Sequence, residues 1–354
     1  MAAAERENPT RDQREKERER RRASINRRRN EKILFDFGPP PAHKLQCPIV
    51  DAHSHPNTPE RTETLVRVAQ SYGVTGMLGI TSLDRASELR RAFPGFFEFA
   101  VSFSYNHLDD IHRFHRDNLA LLERARQESF SVVKFWFKPE FNEAQGLKLD
   151  DPRMDPLFDK MADLGFAGLA HIADPDIWFT TRYRDSARFG TKEEAFVQLE
   201  RRLESHPDVS IVGAHLGGDP ENLSHVSGLL DSHPNFAVDC SATKWVVREL
   251  SQKRDESRRF FFQHQDRIIF GTDLVAWQGA PVRHYASRYW TLQKLLETDY
   301  DGLSPIYDND GRGEVNLKGL DLPKEILEKL YYRNAGKWLK IHVACRPSKC
   351  RREK

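Results

Sequence analysis

The chain has 354 residues, 38% of them hydrophobic, with 55 Lys/Arg against 53 Asp/Glu for a formal net charge of +2. That length suits one barrel of roughly 250–300 residues with extensions, or two smaller domains. No run of about 18 apolar residues occurs, which speaks against a transmembrane helix, and the first thirty residues lack the apolar stretch of a secretory signal.

The charge is unevenly placed. Residues 1–32 carry twelve Lys/Arg against seven Asp/Glu, and residues 345–354 carry five against one, so the middle of the chain stands at −7. Residues 1–46 are expected to be a basic arm and linker, disordered or loosely helical. They end in the stiff GPPP of 38–41. Residues 344–354 form a basic tail. Four cysteines, at 47, 240, 345 and 350, follow no framework spacing and suit a reducing cytoplasm.

Between these ends short apolar runs alternate with segments of helical length. The strand candidates are CPIVDAH (47–53), VTGMLGI (74–80), FEFAVSF (97–103), SVVKFWF (131–137), FAGLAHI (166–172), VSIVGAH (209–215), NFAVDCS (235–241) and RIIFGTD (267–273). TLVRVAQSYG, PLFDKMADLG and AFVQLERRLESH are among the amphipathic segments between them, and Gly73, Gly165, Pro207 and Pro234 punctuate their ends. Eight β–α alternations predict parallel strands with right-handed crossovers, closed as an α/β (β/α)₈ TIM barrel over 47–343. An open doubly wound sheet would need a Gly-rich phosphate loop after the first strand, where DAHSHPNTP stands instead. Residues 302–318 read as an exposed loop and 322–340 as a terminal helix pair that closes the barrel.

Active sites of such barrels lie at the C-terminal ends of the strands. His53 and His55 end strand 1 two residues apart, which puts them on one strand face. His171 ends strand 5, His215 strand 6 and Asp273 strand 8. Imidazoles and one carboxylate in this register suit a Zn²⁺-class site, with Mn²⁺ as the alternative. Bound metal lowers the pKa of water to about 7. Asp273 would then move the proton and His215 would stabilise developing charge. Lys134, inside an apolar strand, would face the same cavity, and Asp51 reads as a deeper hydrogen-bonding partner. His206, His225, His233, His264, His284 and His342, in helices or turns away from the mouth, are expected at the surface.

VDAHSHP, VVKFWF, LAHIADP, IVGAHLGG, AVDCSA and IIFGTDL, closing with LPKEILEKLYYRNAGKWL, resemble the amidohydrolase superfamily. The amidohydrolase-2 branch, which also contains metal-dependent decarboxylases and lactonases, is the nearest. The resemblance implies His53, His55, His171 and Asp273 as metal ligands, with His215 catalytic when one ion is bound. With two ions, Lys134 would bridge them and His215 would become a ligand; one ion is favoured. Trp136, Trp178, Arg182, Trp245 and Trp277 are candidates to line a pocket for a small, aromatic or carboxylated substrate. The leading expectation is metal-dependent hydrolysis of an amide, ester or lactone, with non-oxidative decarboxylation on the same site as the alternative. A non-catalytic barrel binding nucleic acid through its basic ends is the remote third reading. A homo-oligomer is compatible with all three, and no membrane partner is expected.

Overall fold

A computed structural model describes residues 32–140, 146–311 and 313–341. Eight parallel strand positions follow the expected order: β1 (Ile49–His55), β2 (Val74–Ile80), β3 (Phe97–Ser102), β4 (Val132–Trp136), β5 (Ala167–His171), β6 (Ile211–Gly213), β7 (Phe236–Asp239) and a split eighth. The eighth consists of β8 (Ile268–Ile269), paired with β7, and β9 (Leu274–Val275), paired with β1. Between these halves Phe270 O accepts from Ala52 N, and Asp273 N donates to His53 O, so the segment 268–275 closes the barrel.

The crossovers carry α1 (Pro59–Ser71), α2 (Leu83–Ala92), α3 (Ile111–Gln127), α4 (Asp155–Leu164), α5 (Asp176–Thr181), α6 (Ser186–Phe189), α7 (Lys192–Ser205), α8 (Leu223–Ser232), α9 (Trp245–Gln252), α10 (Arg254–Gln263) and α11 (Val282–Glu297). Local chemistry sets their ends. Thr58 and Ser82 cap α1 and α2, and Thr191 with Glu194 forms a reciprocal capping box on α7. Gly165 leaves α4 at φ 70°, a left-handed turn that glycine adopts without a Cβ penalty.

Two apolar clusters follow from strand alternation. One packs the sheet against the helices. The other fills the barrel with small and branched side chains: Val50, Ala52, Leu78, Ala100, Val132, Ala167, Leu169, Val212, Ala237 and Ile269. Trp338, Leu339 and Ile341 plug its base. Trp338 and Leu339 belong to, and Ile341 follows, the terminal helical run that the sequence predicts, α12 (Lys324–Glu328), a π turn (Lys329–Arg333) and α13 (Asn334–Leu339). Asn334 Nδ2 donates to Ile268 O at 2.7 Å and locks that run to the eighth strand.

Three departures bear on the site. First, β1 has register irregularities at Ile49/Val50 and between Asp51 and Ser54. Asp51 therefore does not share the face of His53; its carboxylate meets Tyr289 of α11 at 2.7 Å. Second, 302–318 is not a solvated loop. β10 (Asp301–Leu303) and β11 (Asn316–Lys318) pair antiparallel, and Ser304, Ile306, Asp308, Val315 and Leu317 are buried. Alternating buried residues in a Gly/Asp-rich run conceal this from composition. Third, His206, His233, His264 and His284 are buried, not at the surface.

Residues 32–46 lie along the barrel: Leu34 N donates to Pro305 O at 3.0 Å, and Phe35 and Phe37 pack on Trp290. The arm before residue 32 and the tail from 342, with His342, Cys345 and Cys350, lie outside the described residues. No helix among the described residues is long and apolar enough to cross a membrane.

Candidate metal centre and pocket

Nε2 of His55 stands 3.0 Å and Nε2 of His53 3.3 Å from Asp273 Oδ1. The three donor atoms lie within 4.8 Å of one another. Donor atoms bound to one ion at about 2.1 Å stand roughly 3.0–3.4 Å apart at octahedral or tetrahedral angles. The two imidazole–carboxylate separations thus match those of donors around one first-row divalent cation.

Its protonation agrees. His53 Nδ1 lies 2.7 Å from Asp239 Oδ2, and both side chains are 1% exposed. Burial pushes the Asp239 carboxyl up, but the adjacent His53, its hydrogen bonds and His215 outweigh this and hold it well below the usual carboxylate range. Facing an ionised carboxylate, His53 Nδ1 is the donor. Nε2 then presents a lone pair toward Asp273. Two lone pairs at this distance repel unless a cation lies between them. Burial and the Lys134 ammonium also keep His53 below its ordinary pKa, hence neutral and able to ligate.

Asp239 was not singled out from the sequence, and it organises the centre. Its Oδ1 accepts from His215 N at 2.9 Å, Ser241 N at 3.0 Å and Ser241 Oγ at 2.5 Å. Ser241 Oγ lies 2.8 Å from His215 Nδ1. His215 therefore hands Nδ1–H to Ser241 and keeps Nε2 as an acceptor. Burial drops His215 to about 3, so it is neutral at ordinary pH. The only sequence signal for Asp239 was an acidic residue at the end of an apolar strand.

Lys134 sits on β4 inside the barrel, 1% exposed, with Nζ 3.4 Å from His53 Nε2. Burial lowers it to about 8 against the pull of Asp239 and Asp273. His171 lies nearby, its ring centroid 5.0 Å from that of His215. Its Nε2 meets Asp174 Oδ1 at 3.0 Å, and Asp174 Oδ2 accepts from Tyr183 OH at 2.9 Å. His171 stands outside the three-atom cluster of His53, His55 and Asp273.

A cavity of about 370 Å³ opens onto these groups. Trp178, Arg182, Trp245 and Trp277, four of the expected lining residues, form its walls together with His171, His215 and Asp273. Trp136 is not among them; it packs partly buried on the barrel core, with Lys134 Nζ 5.8 Å from its ring. The cavity also takes in His284 and Arg288 from α11, and Asp308 to Asp310 from the β10–β11 connection. Trp178 Nε1 donates to Asp310 at 2.9 Å and ties α5 to that connection. His284 was missed because a histidine in the first turn of a helix carries no sign that the helix end reaches the barrel mouth.

Residues 111–341 match the family described as Amidohydrolase. No curated protein sequence matches the chain. Among solved structures, 5-carboxyvanillate decarboxylase from Novosphingobium aromaticivorans, complexed with manganese and 4-hydroxy-3-methoxy-5-nitrobenzoic acid, aligns at TM-score 0.51. It shows 13% identity over 83% of this chain and 96% of that one. 2,6-Dihydroxybenzoate decarboxylase from Rhizobium aligns at 0.50, with 14% identity over 84% and 99%. 4-Oxalomesaconate hydratase from Rhodopseudomonas palustris aligns at 0.52, with 14% identity over 82% and 95%. At these identities the likeness is one of fold.

Proposed function

The chain belongs to the amidohydrolase family, and from that premise we propose that it is a metal-dependent enzyme that decarboxylates a small aromatic acid. The observation that carries the reading is the His53–His55–Asp273 triad beside a cavity walled by three tryptophans and edged by Arg182, Lys244 and Arg288. This reverses the order in which the sequence alone ranks the reactions. A pocket of flat aromatic faces and cations suits an aromatic carboxylate better than a neutral amide or lactone. Two of the three relatives named above are decarboxylases, which agrees with that order.

In this reaction the bond from ring carbon to carboxylate breaks and its electron pair stays on the ring. A proton joins that carbon, and CO₂ leaves. A divalent ion at the triad, Mn²⁺ or Zn²⁺, would supply a Lewis-acid anchor for substrate oxygens. His53, His55 and Asp273 would hold it, as one ion, with Lys134 remaining a cation beside His53. Asp273, a third exposed where it meets the cavity, and neutral His215 are the groups placed to move the proton. Tryptophan faces orient the ring and exclude water. Hydrolysis remains the second reading, because the ionised Asp273 of the triad is also a proton acceptor for water.

The test is to measure metal content and then CO₂ release from hydroxylated benzoates. About one ion per chain, and CO₂ release abolished by Asp273→Asn, is the expected result. Turnover that survives complete metal removal would overturn the proposal, and a hydrolysed product without CO₂ would give the site to the second reading.

A further inference from the structure

Glu221 lies in the connection between β6 and α8 and is not one of the residues that line the cavity. Its Oε1 nevertheless accepts hydrogen bonds from two of the cavity walls. Trp245 Nε1, on the first residue of α9, donates at 2.7 Å, and the backbone N–H of Asp176, the first residue of α5, donates at 3.1 Å. Trp245 is itself a wall residue, 7% exposed, with its ring centroid 6.2 Å from that of His215. The α5 segment supplies Trp178, with Arg182 just beyond its end.

The surroundings hold this oxygen still. Lys192 Nζ, 3.3 Å from Glu221 Oε2, balances the carboxylate charge and also meets Asp176 Oδ1 at 2.5 Å and Asp219 Oδ1 at 2.8 Å. Lys253 Nζ donates to the Glu221 backbone carbonyl. The α5 segment is tied at a second point, where Trp178 Nε1 donates to Asp310 Oδ2 at 2.9 Å. Trp245 has its tie at Glu221. A buried indole N–H needs an acceptor, and a bond to a carboxylate is about twice as strong as a neutral one. Without Oε1, Trp245 would turn to find another partner and the first turn of α5 would lose its anchor.

We infer that Glu221 is a positioning residue for the substrate: one carboxylate oxygen joins the Trp245 wall to the α5 wall and so fixes the shape of the cavity that receives a flat ring. Glu221 touches neither the ring nor the metal triad and moves no proton. Its effect therefore falls on substrate affinity, as KM, rather than on kcat. The inference rests on the aromatic-acid reading of the cavity and adds to it the group that holds the walls in register.

The test titrates the metal-loaded full chain with 2-hydroxybenzoate by calorimetry. In parallel, the Trp245 indole N–H line is followed in protein labelled with ¹⁵N-tryptophan, assigned as the line missing from Trp245→Phe. Glu221→Ala should bind the acid about 10-fold more weakly, the loss expected for two hydrogen bonds. It should also move the indole line upfield and leave the metal content unchanged. Glu221→Gln, which keeps a carbonyl oxygen for both donors, should restore affinity to within about threefold of wild type. In a Trp245→Phe background the Glu221→Ala penalty should shrink to about threefold, because one of the two donors is already gone. Glu221→Asp keeps the charge for Lys192 but withdraws the oxygens by one methylene; it should weaken binding several-fold, and it serves if Glu221→Ala fails to fold. An indole line unmoved in Glu221→Ala and Glu221→Asp, or a penalty of the same size with and without the Trp245 indole, would overturn the positioning role and leave the aromatic-acid reading standing. Failure of wild type to bind 2-hydroxybenzoate or any other hydroxylated benzoate would overturn that reading, while the indole line would still decide whether Glu221 holds Trp245.

Discussion

Asp239→Asn isolates the role of the buried carboxylate under the metal triad. Asparagine is nearly isosteric, and its Oδ1 can still accept from His215 N and Ser241 N, at 2.9 and 3.0 Å in the wild type. The second oxygen becomes an NH₂ group 2.7 Å from His53 Nδ1. A donor there forces His53 into the tautomer with Nδ1 bare and Nε2 protonated, and a protonated Nε2 cannot ligate. Loss of such an outer partner costs about 10- to 100-fold in metal affinity, or about 1.4–2.7 kcal/mol. Competition between the protein and a chelator, read by elemental analysis of Zn²⁺ or Mn²⁺, measures the loss. Ser241→Ala is the control. It removes the Oγ hydrogen bonds to the Asp239 carboxylate and to His215 Nδ1 but leaves the Asp239–His53 contact, so its effect on metal affinity should be clearly smaller than that of Asp239→Asn. Metal affinity of Asp239→Asn within threefold of wild type would refute the tautomer argument. Equal losses in the two variants would show that the network acts only through packing.

Three further outcomes follow from packing and charge. Lys192, 9% exposed, bridges exposed Asp176 and the largely buried Asp219 and Glu221 at 2.5, 2.8 and 3.3 Å; Lys192→Met should cost about 3–5 kcal/mol in denaturant unfolding because it strands the carboxylates of Asp219 and Glu221. Adding Glu221→Gln should recover part of that loss. Gly213→Ala would place a Cβ 2.8 Å from the Gly217 backbone and from Phe236. The strain should lower stability by about 1–3 kcal/mol in thermal unfolding. His43 Nδ1 meets Glu297 Oε1 at 2.7 Å. Burial lowers His43, but the hydrogen bond and charge of Glu297 outweigh it and raise the net value above 6.5. Burial likewise raises Glu297, yet His43 and Lys44 hold it below 4.5. The His43 contribution is therefore full below pH 6.5 and fades as pH rises through its folded pKa, and the Glu297 contribution is full above pH 4.5 and fades as pH falls. His43→Gln should destabilise the chain by on the order of 1 kcal/mol more at pH 5.5 than at pH 9. Equal penalties at both pH values in thermal melts would contradict the pairing.

The barrel was legible because its strands are continuous apolar runs buried on both faces, and the residue that ends each run is polar only where it reaches the mouth. His53, His55, His215 and Asp273 stand out in the sequence for that reason. Asp51 is the deeper hydrogen-bonding partner that the sequence suggests, but its shared parity with His53 does not hold, because strict alternation is broken by the irregularity between Asp51 and Ser54, which no residue type in VDAHSHP announces. Asp239 carries the same strand-end signature as Asp273, but it points inward under the site. Depth along a strand is a property of register and is not encoded in the type of one residue. His284 and the β10–β11 connection reach the cavity through long-range packing. The sequence supplies only an amphipathic helix and a turn-rich loop for them.

Three of the strand ends around the site share one backbone device. His215 at φ 60°, Ala242 at 69° and Asp273 at 60° are non-glycine residues in the left-handed region, following β6, β7 and β8. Such residues cost on the order of 1 kcal/mol each and persist only where neighbouring bonds over-determine them. Here the bonds come from two buried carboxylates. Asp239 Oδ1 accepts from His215 N and from Ser241 N, one residue before Ala242. Asp51 Oδ1 accepts from Thr272 N, one residue before Asp273, and Asp51 Oδ2 takes Thr272 Oγ1 and Tyr289 OH at 2.6 and 2.7 Å. Burial lifts Asp51 to about 6 in spite of these donors, while Asp239 is held ionised by His53. The donors that pin both carboxylates are groups of the protein itself, backbone N–H and side chain alike, so they stand in place without any ligand being bound. The turns that present His215 and Asp273 to the cavity are thus fixed by the folded barrel itself. Pre-organisation of this kind is what a site needs if its binding energy is to go into the substrate rather than into ordering its own loops.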